Sequence, residues 1–250
     1  MIELKNFTKN YGDFTALDKV NCTFAKDCIT GILGPNGAGK TTILKAICAR
    51  HFATEGKLFI DSARYGRIEA SENPAETRNI TGFVEESPDF PGEYTVREFL
   101  KATAELHGAS LKNLEETVKL FSLEDVFHKK IKTLSKGYRE RVNFAQAFVY
   151  RPEILVLDEP ASGLDPEQIV KMRESVKKLA ENHTVILSTH LMQEAESLCD
   201  RIIVLNHGKI LADGTIPEVI EKAKAQTLEQ AFFTLVHSAD INGKNEQISL

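Results

Sequence analysis

The stretch Gly34-Pro35-Asn36-Gly37-Ala38-Gly39-Lys40-Thr41-Thr42 constrains this chain more than any other. It follows a continuous apolar run, Ile29–Leu33, and precedes apolar residues at Ile43, Leu44 and Ile47. Its spacing, G-x-x-x-x-G-K-[ST], has meaning only between a strand and a helix, and both are predicted here. Glycines let consecutive backbone N–H groups curl around phosphate oxygens, and the following helix adds its positive N-terminal end. Lys40 is placed to reach β- and γ-phosphates, the Thr41 hydroxyl to bind Mg²⁺, and Thr42 to add a further hydroxyl contact. The plain alternative, a glycine-rich turn before an ordinary helix, lacks a reason for this context.

The rest of the chain fits an α/β frame. Apolar patterning predicts strands at Ile2–Phe7, Val20–Phe24, Gly56–Ile60 and Ile80–Val84, with 61–79 polar and unassigned. From about Val96 to Val149 the apolar spacing turns helical. Beyond it come strand Ile154–Leu157, helix Pro166–Ala180, strand Val185–Leu187, helix Met192–Leu198 and strand Ile202–Leu205. Strands alternating with helices imply a parallel sheet with crossover connections, interrupted by a helical block. Residues after Ser238 are polar and are expected to fray.

Composition narrows the partners. With 42% hydrophobic and 27% charged residues, the 250-residue chain can fill a core and cover a water-facing surface. No apolar run approaches the ~18 residues that span a bilayer, and the start lacks a signal-peptide layout. A cytoplasmic protein is the expectation. The net charge of -5 argues against a nucleic-acid partner. Cys22, Cys28, Cys48 and Cys199 have no metal-type spacing and read as small apolar fillers in a reducing compartment.

Two carboxylates and a histidine stand where α/β sheets place ligands, at strand ends. Asp158 and Glu159 close the run Ile154–Leu157. Asp158 suits Mg²⁺ binding through water, and Glu159 suits general-base work on an attacking water. His190 closes another strand, in Ser188-Thr189-His190, and is a candidate donor to the γ-phosphate. An isolated histidine is more often structural; its strand-end position favours the functional reading.

Taken together, these residues resemble the ATP-binding subunits of ABC transporters across nearly the whole chain. Leu134-Ser135-Lys136-Gly137-Tyr138 is similar to the family's signature sequence, Ser162-Gly163-Leu164-Asp165 to its D-loop, and His190 to its switch histidine. Tyr11 matches the aromatic that stacks on adenine. The resemblance implies a P-loop NTPase core with a mostly parallel sheet, an N-terminal antiparallel β subdomain and an inserted α-helical subdomain. It implies one domain over 1–250: core from about 1–95 and 151–225, helical subdomain 96–150, C-terminal helix and tail 226–250. ATP and Mg²⁺ are the implied ligands. Ser135, Gly137 and Asp165 would act on ATP across a head-to-tail pair of subunits, as a homodimer or a heterodimer. Read without the family, Ser135 is a helix N-cap. A separate membrane permease would hold the pair at the inner face of the cell membrane.

Two departures stand out. The usual signature is Leu-Ser-Gly-Gly-Gln; here Lys136 replaces a glycine and Tyr138 the glutamine. Lys136 adds charge near the phosphates or is a solvated surface lysine, and both readings stay open. The Q-loop glutamine is replaced by Glu86, which can still hold Mg²⁺ or water but adds negative charge; the alternative is an exposed loop acid. These departures, with Pro88–Leu100 and Thr227–Phe233, resemble the exporter-type subfamily. The rival is a soluble ATPase of the family, such as an iron–sulfur cluster assembly subunit. A DNA-repair member would need a coiled-coil insertion, and a translation factor a second set of motifs. A poorly hydrolysing regulatory subunit is disfavoured by the presence of Glu159 and His190.

Overall fold

A computed structural model describes residues 1–248, with side chains described as far as Ile241. The chain begins with β1 (Ile2–Tyr11) and β2 (Phe14–Phe24), joined by a tight turn in which Gly12 has φ +58°. Then come β3 (Ile29–Leu33), α1 (Lys40–Ile47), β4 (Glu55–Ser62), β5 (Gly66–Glu69), α2 (Pro74–Ile80) and β6 (Thr81–Val84). The helical block holds α3 (Val96–Leu106), α4 (Leu111–Leu120), short 3-10 turns at Glu124–Val126 and Ile131–Thr133, and α5 (Lys136–Phe148). The chain closes with β7 (Ile154–Asp158), α6 (Pro166–Ala180), β8 (Thr184–Thr189), α7 (Met192–Leu198), β9 (Arg201–Asn206), β10 (Lys209–Gly214), α8 (Ile216–Lys222) and α9 (Leu228–Ile248).

These strands make two sheets. One is antiparallel, in the order β2-β1-β4-β5. The other, β10-β9-β3-β8-β7-β6, is parallel except for β10. All five residues of β3 are buried, as an apolar strand with parallel neighbours on both sides requires. Successive side chains of β7 and β8 point to opposite faces. Ile154, Val156 and Ile186 therefore join a core under α1 and the antiparallel sheet, while Leu155, Leu157, Val185 and Leu187 join one shared with α5 and α6. Each fully buried Leu or Ile contributes about 1.5–3 kcal/mol.

Strand β6 lies at the edge of its sheet, and α5 covers its unpaired carbonyls. Asn143 Nδ2 donates to Glu85 O at 2.7 Å, Gln146 Nε2 to Phe83 O at 2.8 Å and the Tyr150 hydroxyl to Thr81 O at 2.8 Å. Acceptors two apart on a strand thus meet donors three or four apart on the helix and its C-terminal turn. This satisfies an edge that would otherwise be open to another strand, and it ties α5 to the segment that carries Glu86.

Several expectations are revised. The first two strands run on to Tyr11 and back to Phe14, because their pairing as a hairpin extends them beyond the apolar pattern. Ile80 ends α2 rather than opening β6. The unassigned 61–79 holds the end of β4, then β5 and α2, which starts with Pro74 in the first turn, where its missing N–H has no helical partner to lose. β10 and α8 follow where no element was expected. The chain beyond Ser238 continues α9 to Ile248 instead of fraying; Asp240 accepts from Asn206 Nδ2 at 2.8 Å, and residues 249–250 lie outside the described residues.

Candidate functional site

The loop between β3 and α1 tolerates little but glycine at two points. A Cβ on Gly34 would meet Leu205 O at 2.4 Å. Gly39, at φ +107°, would place one 2.8 Å from both Ala16 O and Leu17 Cδ2. The loop is thereby pressed against β9 and β2. Gly39 is the N-cap of α1, and no side chain caps it. A helix start left without a side-chain cap offers its N–H groups and positive dipole end to an anion.

Lys40 is 7% exposed and folds back over the loop: Nζ donates to Gly34 O at 2.8 Å and Pro35 O at 3.4 Å. It also pairs with Glu159 Oε1 at 3.2 Å. Asp158, buried at the end of β7, accepts from the Thr41 hydroxyl at 3.2 Å and the Ser188 hydroxyl at 2.7 Å, both at Oδ1. The register of β7 and β8 sets Asp158 opposite Ser188. Glu159 leaves the strand at φ +47°, a left-handed conformation rare for a residue with a side chain. Its N–H donates to Ser188 Oγ at 2.9 Å, and its carbonyl accepts from Ser162 N–H at 2.9 Å. That turn aims the carboxylate inward, with Oε1 on Lys40 and Oε2 2.8 Å from His190 Nδ1.

A cavity of about 450 Å³ opens above these groups. The loop and helix start, Pro35, Asn36, Gly37, Ala38, Gly39, Lys40, Thr41 and Thr42, line it, with Tyr11, Glu86, Glu159 and His190. Gly34 and Asp158 lie beneath, reached through Lys40 and Thr41. Tyr11 is half-exposed at the β1–β2 hairpin, where its hydroxyl bonds His51 Nδ1. Sequence reasoning missed Phe14, which lines the cavity and stands opposite Tyr11 in the hairpin register, 62% exposed. It also missed Ser188, whose hydroxyl bridges Asp158 and Glu159. Behind His190, Thr189 Oγ1 donates to buried Glu194, whose carboxyl is pushed up by burial and further by the charge of Glu159.

Ser135, Gly137 and Asp165 are not brought to this cavity. They line another, of about 290 Å³, between the starts of α5 and α6. Ser135 caps α5, accepting from Tyr138 N–H at 3.4 Å, and Asp165 caps α6, accepting from Gln168 N–H at 2.9 Å. Lys136 lies exposed on the surface, and its Nζ donates to Gly163 O, a contact that neither reading named. Glu86 lines the phosphate cavity, and its Oε1 accepts from the Ser162 hydroxyl at 3.2 Å.

A family model described as ABC transporter matches residues 17–162. The chain belongs to the ABC transporter family. As an ABC cassette it binds ATP and is an ATPase. It is 35% identical over 217 residues, 84% of this chain and 68% of the relative, to the ABC transporter ATP-binding protein YhcH of Bacillus subtilis (strain 168). It is 33% identical over 230 residues, 91% of the chain and 73% of the relative, to the bacitracin transport ATP-binding protein BcrA of Enterococcus faecalis. Among solved structures, an ATP-binding subunit of an ABC transporter superposes with TM-score 0.85 at 26% identity, covering 94% of this chain and 99% of that one. A dimeric ATP-binding cassette in a post-hydrolysis state, bound to ADP and Pi, gives 0.76 at 28%, covering 86% and 98%. Among the described residues, no helix of this ABC cassette is long and apolar enough to cross a membrane.

Proposed function

We propose that two copies of this chain, or this chain and a related one, close head to tail around ATP and drive export through a separate membrane permease. The observation that carries the reading is the separation of the two half-sites. Ser135, Gly137 and Asp165 face a cavity away from their own phosphate loop, so γ-phosphate contacts from them require a second chain. The dimeric structural relative and the bacitracin transport relative support it.

In this reading the triphosphate lies along Gly34–Thr42, with adenine against Tyr11 and Phe14. Lys40 turns from Glu159 to the β- and γ-phosphates. The donors present fit Mg²⁺: Thr41 Oγ1 would be a direct hard oxygen ligand, and Asp158 Oδ1, 3.2 Å from it at the end of β7, would hold the ion through water. Glu86, on the same cavity, would add its carboxylate directly or through water. Bound there, Mg²⁺ neutralises charge on the phosphate oxygens. Glu159 takes the proton of the attacking water, relieved of Lys40 once the phosphates engage that lysine. With Nδ1–H of His190 donated to Glu159, Nε2 donates to the γ-phosphate only when the ring carries both protons. Loss of that phosphate removes the bridge between chains, and the pair opens. The chain would sit at the cytoplasmic face of the membrane only through its permease.

Affinity purification of the tagged Glu159→Gln chain from detergent-solubilised membranes of its host, with ATP and Mg²⁺, tests this reading. A stoichiometric polytopic membrane protein in the eluate is the expected result. Soluble partners alone, in every nucleotide state, would remove the transporter reading and favour a soluble assembly ATPase.

A further inference from the structure

Two of the three positions where this chain departs from the usual motifs, Glu86 and Lys136, meet at the adjacent residues Ser162 and Gly163. Glu86 accepts from the Ser162 hydroxyl at 3.2 Å, and Lys136 Nζ donates to Gly163 O. One charged side chain comes from the segment after β6, the other from the first turn of α5, and they grip adjacent residues. Gly163 lies at φ +66°, and a Cβ there would stand 2.1 Å from Lys136 Nζ, so the glycine is what lets the ammonium reach the carbonyl. The same two residues are one turn from Glu159, whose carbonyl accepts from Ser162 N–H at 2.9 Å. The next turn is closed by Leu164 N–H donating to Ala161 O at 3.2 Å.

Resting on the ATPase reading, we propose that Lys136 and Glu86 are positioning residues for Glu159. They grip the Ser162 side chain and the Gly163 carbonyl and so hold the left-handed backbone that aims the carboxylate. A residue at φ +47° has no intrinsic preference for that conformation and keeps it only while its surroundings impose it. The Ser188 hydroxyl fixes the N–H side of Glu159. The clamp fixes the carbonyl side. A bond from an ammonium to a carbonyl is charge-assisted and stronger than a neutral one, which suits an exposed loop that would otherwise sample other turns. Lys136 thus acts within its own chain, on its own base, through a residue for which the usual glycine offers no side chain.

The test uses the full chain with Lys136→Ala, Ser162→Ala and both, alongside Lys136→Arg. Steady-state ATP hydrolysis should show kcat about tenfold lower for each single alanine variant, with KM for ATP changed less than threefold. The double variant should lose less than the product of the two, because both bonds hold the same turn. Lys136→Arg, which keeps a cationic donor, should recover most of the rate. Hydrogen exchange on the nucleotide-free protein reads the clamp without any turnover: the amides of Ser162 and Leu164 should exchange faster in Lys136→Ala than in wild type. Unchanged exchange at those amides would overturn the proposal, and a fall in kcat without it would assign Lys136 to direct charge on the phosphates. Wild-type protein with no hydrolysis but the expected exchange pattern would instead remove the ATPase reading and leave the clamp standing.

Discussion

Replacing Glu159 with glutamine separates its pairing with Lys40, seen in the structure, from its proposed role as base for the attacking water. The pair is buried, 7% and 11% exposed, with 3.2 Å between Nζ and Oε1. At an effective dielectric of about 20, a pair at that distance has a Coulomb energy of ~5 kcal/mol. Desolvation of two charges offsets most of it, leaving ~1–2 kcal/mol that an arriving triphosphate must overcome to claim Lys40. Glutamine keeps the shape but withdraws the charge. ATP should therefore bind about tenfold more tightly to Glu159→Gln, helped further by lost repulsion between carboxylate and γ-phosphate. Hydrolysis should fall by ~10²-fold or more, since the amide cannot take a proton. Phosphate release at saturating ATP and Mg²⁺ measures the second effect; displacement of a fluorescent ATP analogue measures the first. A kcat within threefold of wild type would remove Glu159 from the role of base. A weakened affinity would show that Glu159 holds Lys40 ready for the phosphates rather than competing with them.

Gly39→Ala should weaken ATP binding more than tenfold, because the new Cβ at φ +107° must displace Ala16 O or Leu17 from 2.8 Å; titration calorimetry checks it. Gly82→Ala should cost about 1–3 kcal/mol of stability, with a Cβ 2.1 Å from Ala147 O forcing α5 away from β6; urea denaturation reads this, and a midpoint equal to wild type would refute it. Glu194 has its carboxyl raised by burial, so its contribution to stability is undiminished below the ordinary carboxylate range and lost as pH rises through its raised value. Glu194→Gln cannot ionise and should therefore gain Tm relative to wild type as pH rises above the ordinary carboxylate range, by about 2–4 °C for each kcal/mol; a pH-independent difference would contradict the assignment. The thiols of Cys22 and Cys48 are pushed up to about 12 by burial, so maleimide at pH 7.5 should label Cys28 first and reach those two only on unfolding, as mass spectrometry of labelled peptides would show.

What was legible in the sequence was local chemistry. The phosphate loop declares itself because its glycines, lysine and threonines are consecutive, and Asp158-Glu159 because a short apolar strand precedes it. Ser188 was read only as part of a strand end, since its contact with Asp158 depends on the register of β7 and β8, which are separated by all of α6. Phe14 was missed for a similar reason: only the β1–β2 pairing sets it opposite Tyr11. Strand β10 has a weak apolar pattern, with Ala212 and Gly214 its buried residues, and is held by pairing with β9 across the turn at His207 and Gly208, both at positive φ. Like Tyr138, Glu86 and Lys136 were visible as departures. Their meeting at Ser162–Gly163 needed three segments, 50 and 26 residues apart in sequence, to be seen folded together.

The strand order has a consequence during synthesis. β3, which launches the phosphate loop, is complete at Leu33, but its sheet neighbours β8 and β9 begin at Thr184 and Arg201. About 150 residues must leave the ribosome between the strand and its first partner, which at 5–20 residues per second is about 8–30 s. Through that interval an apolar strand built for burial on both faces has no sheet to enter. A nascent chain stalled before residue 184 should therefore bind chaperones rather than ATP, and the cassette gains its ligand only once β8 and β9 have emerged.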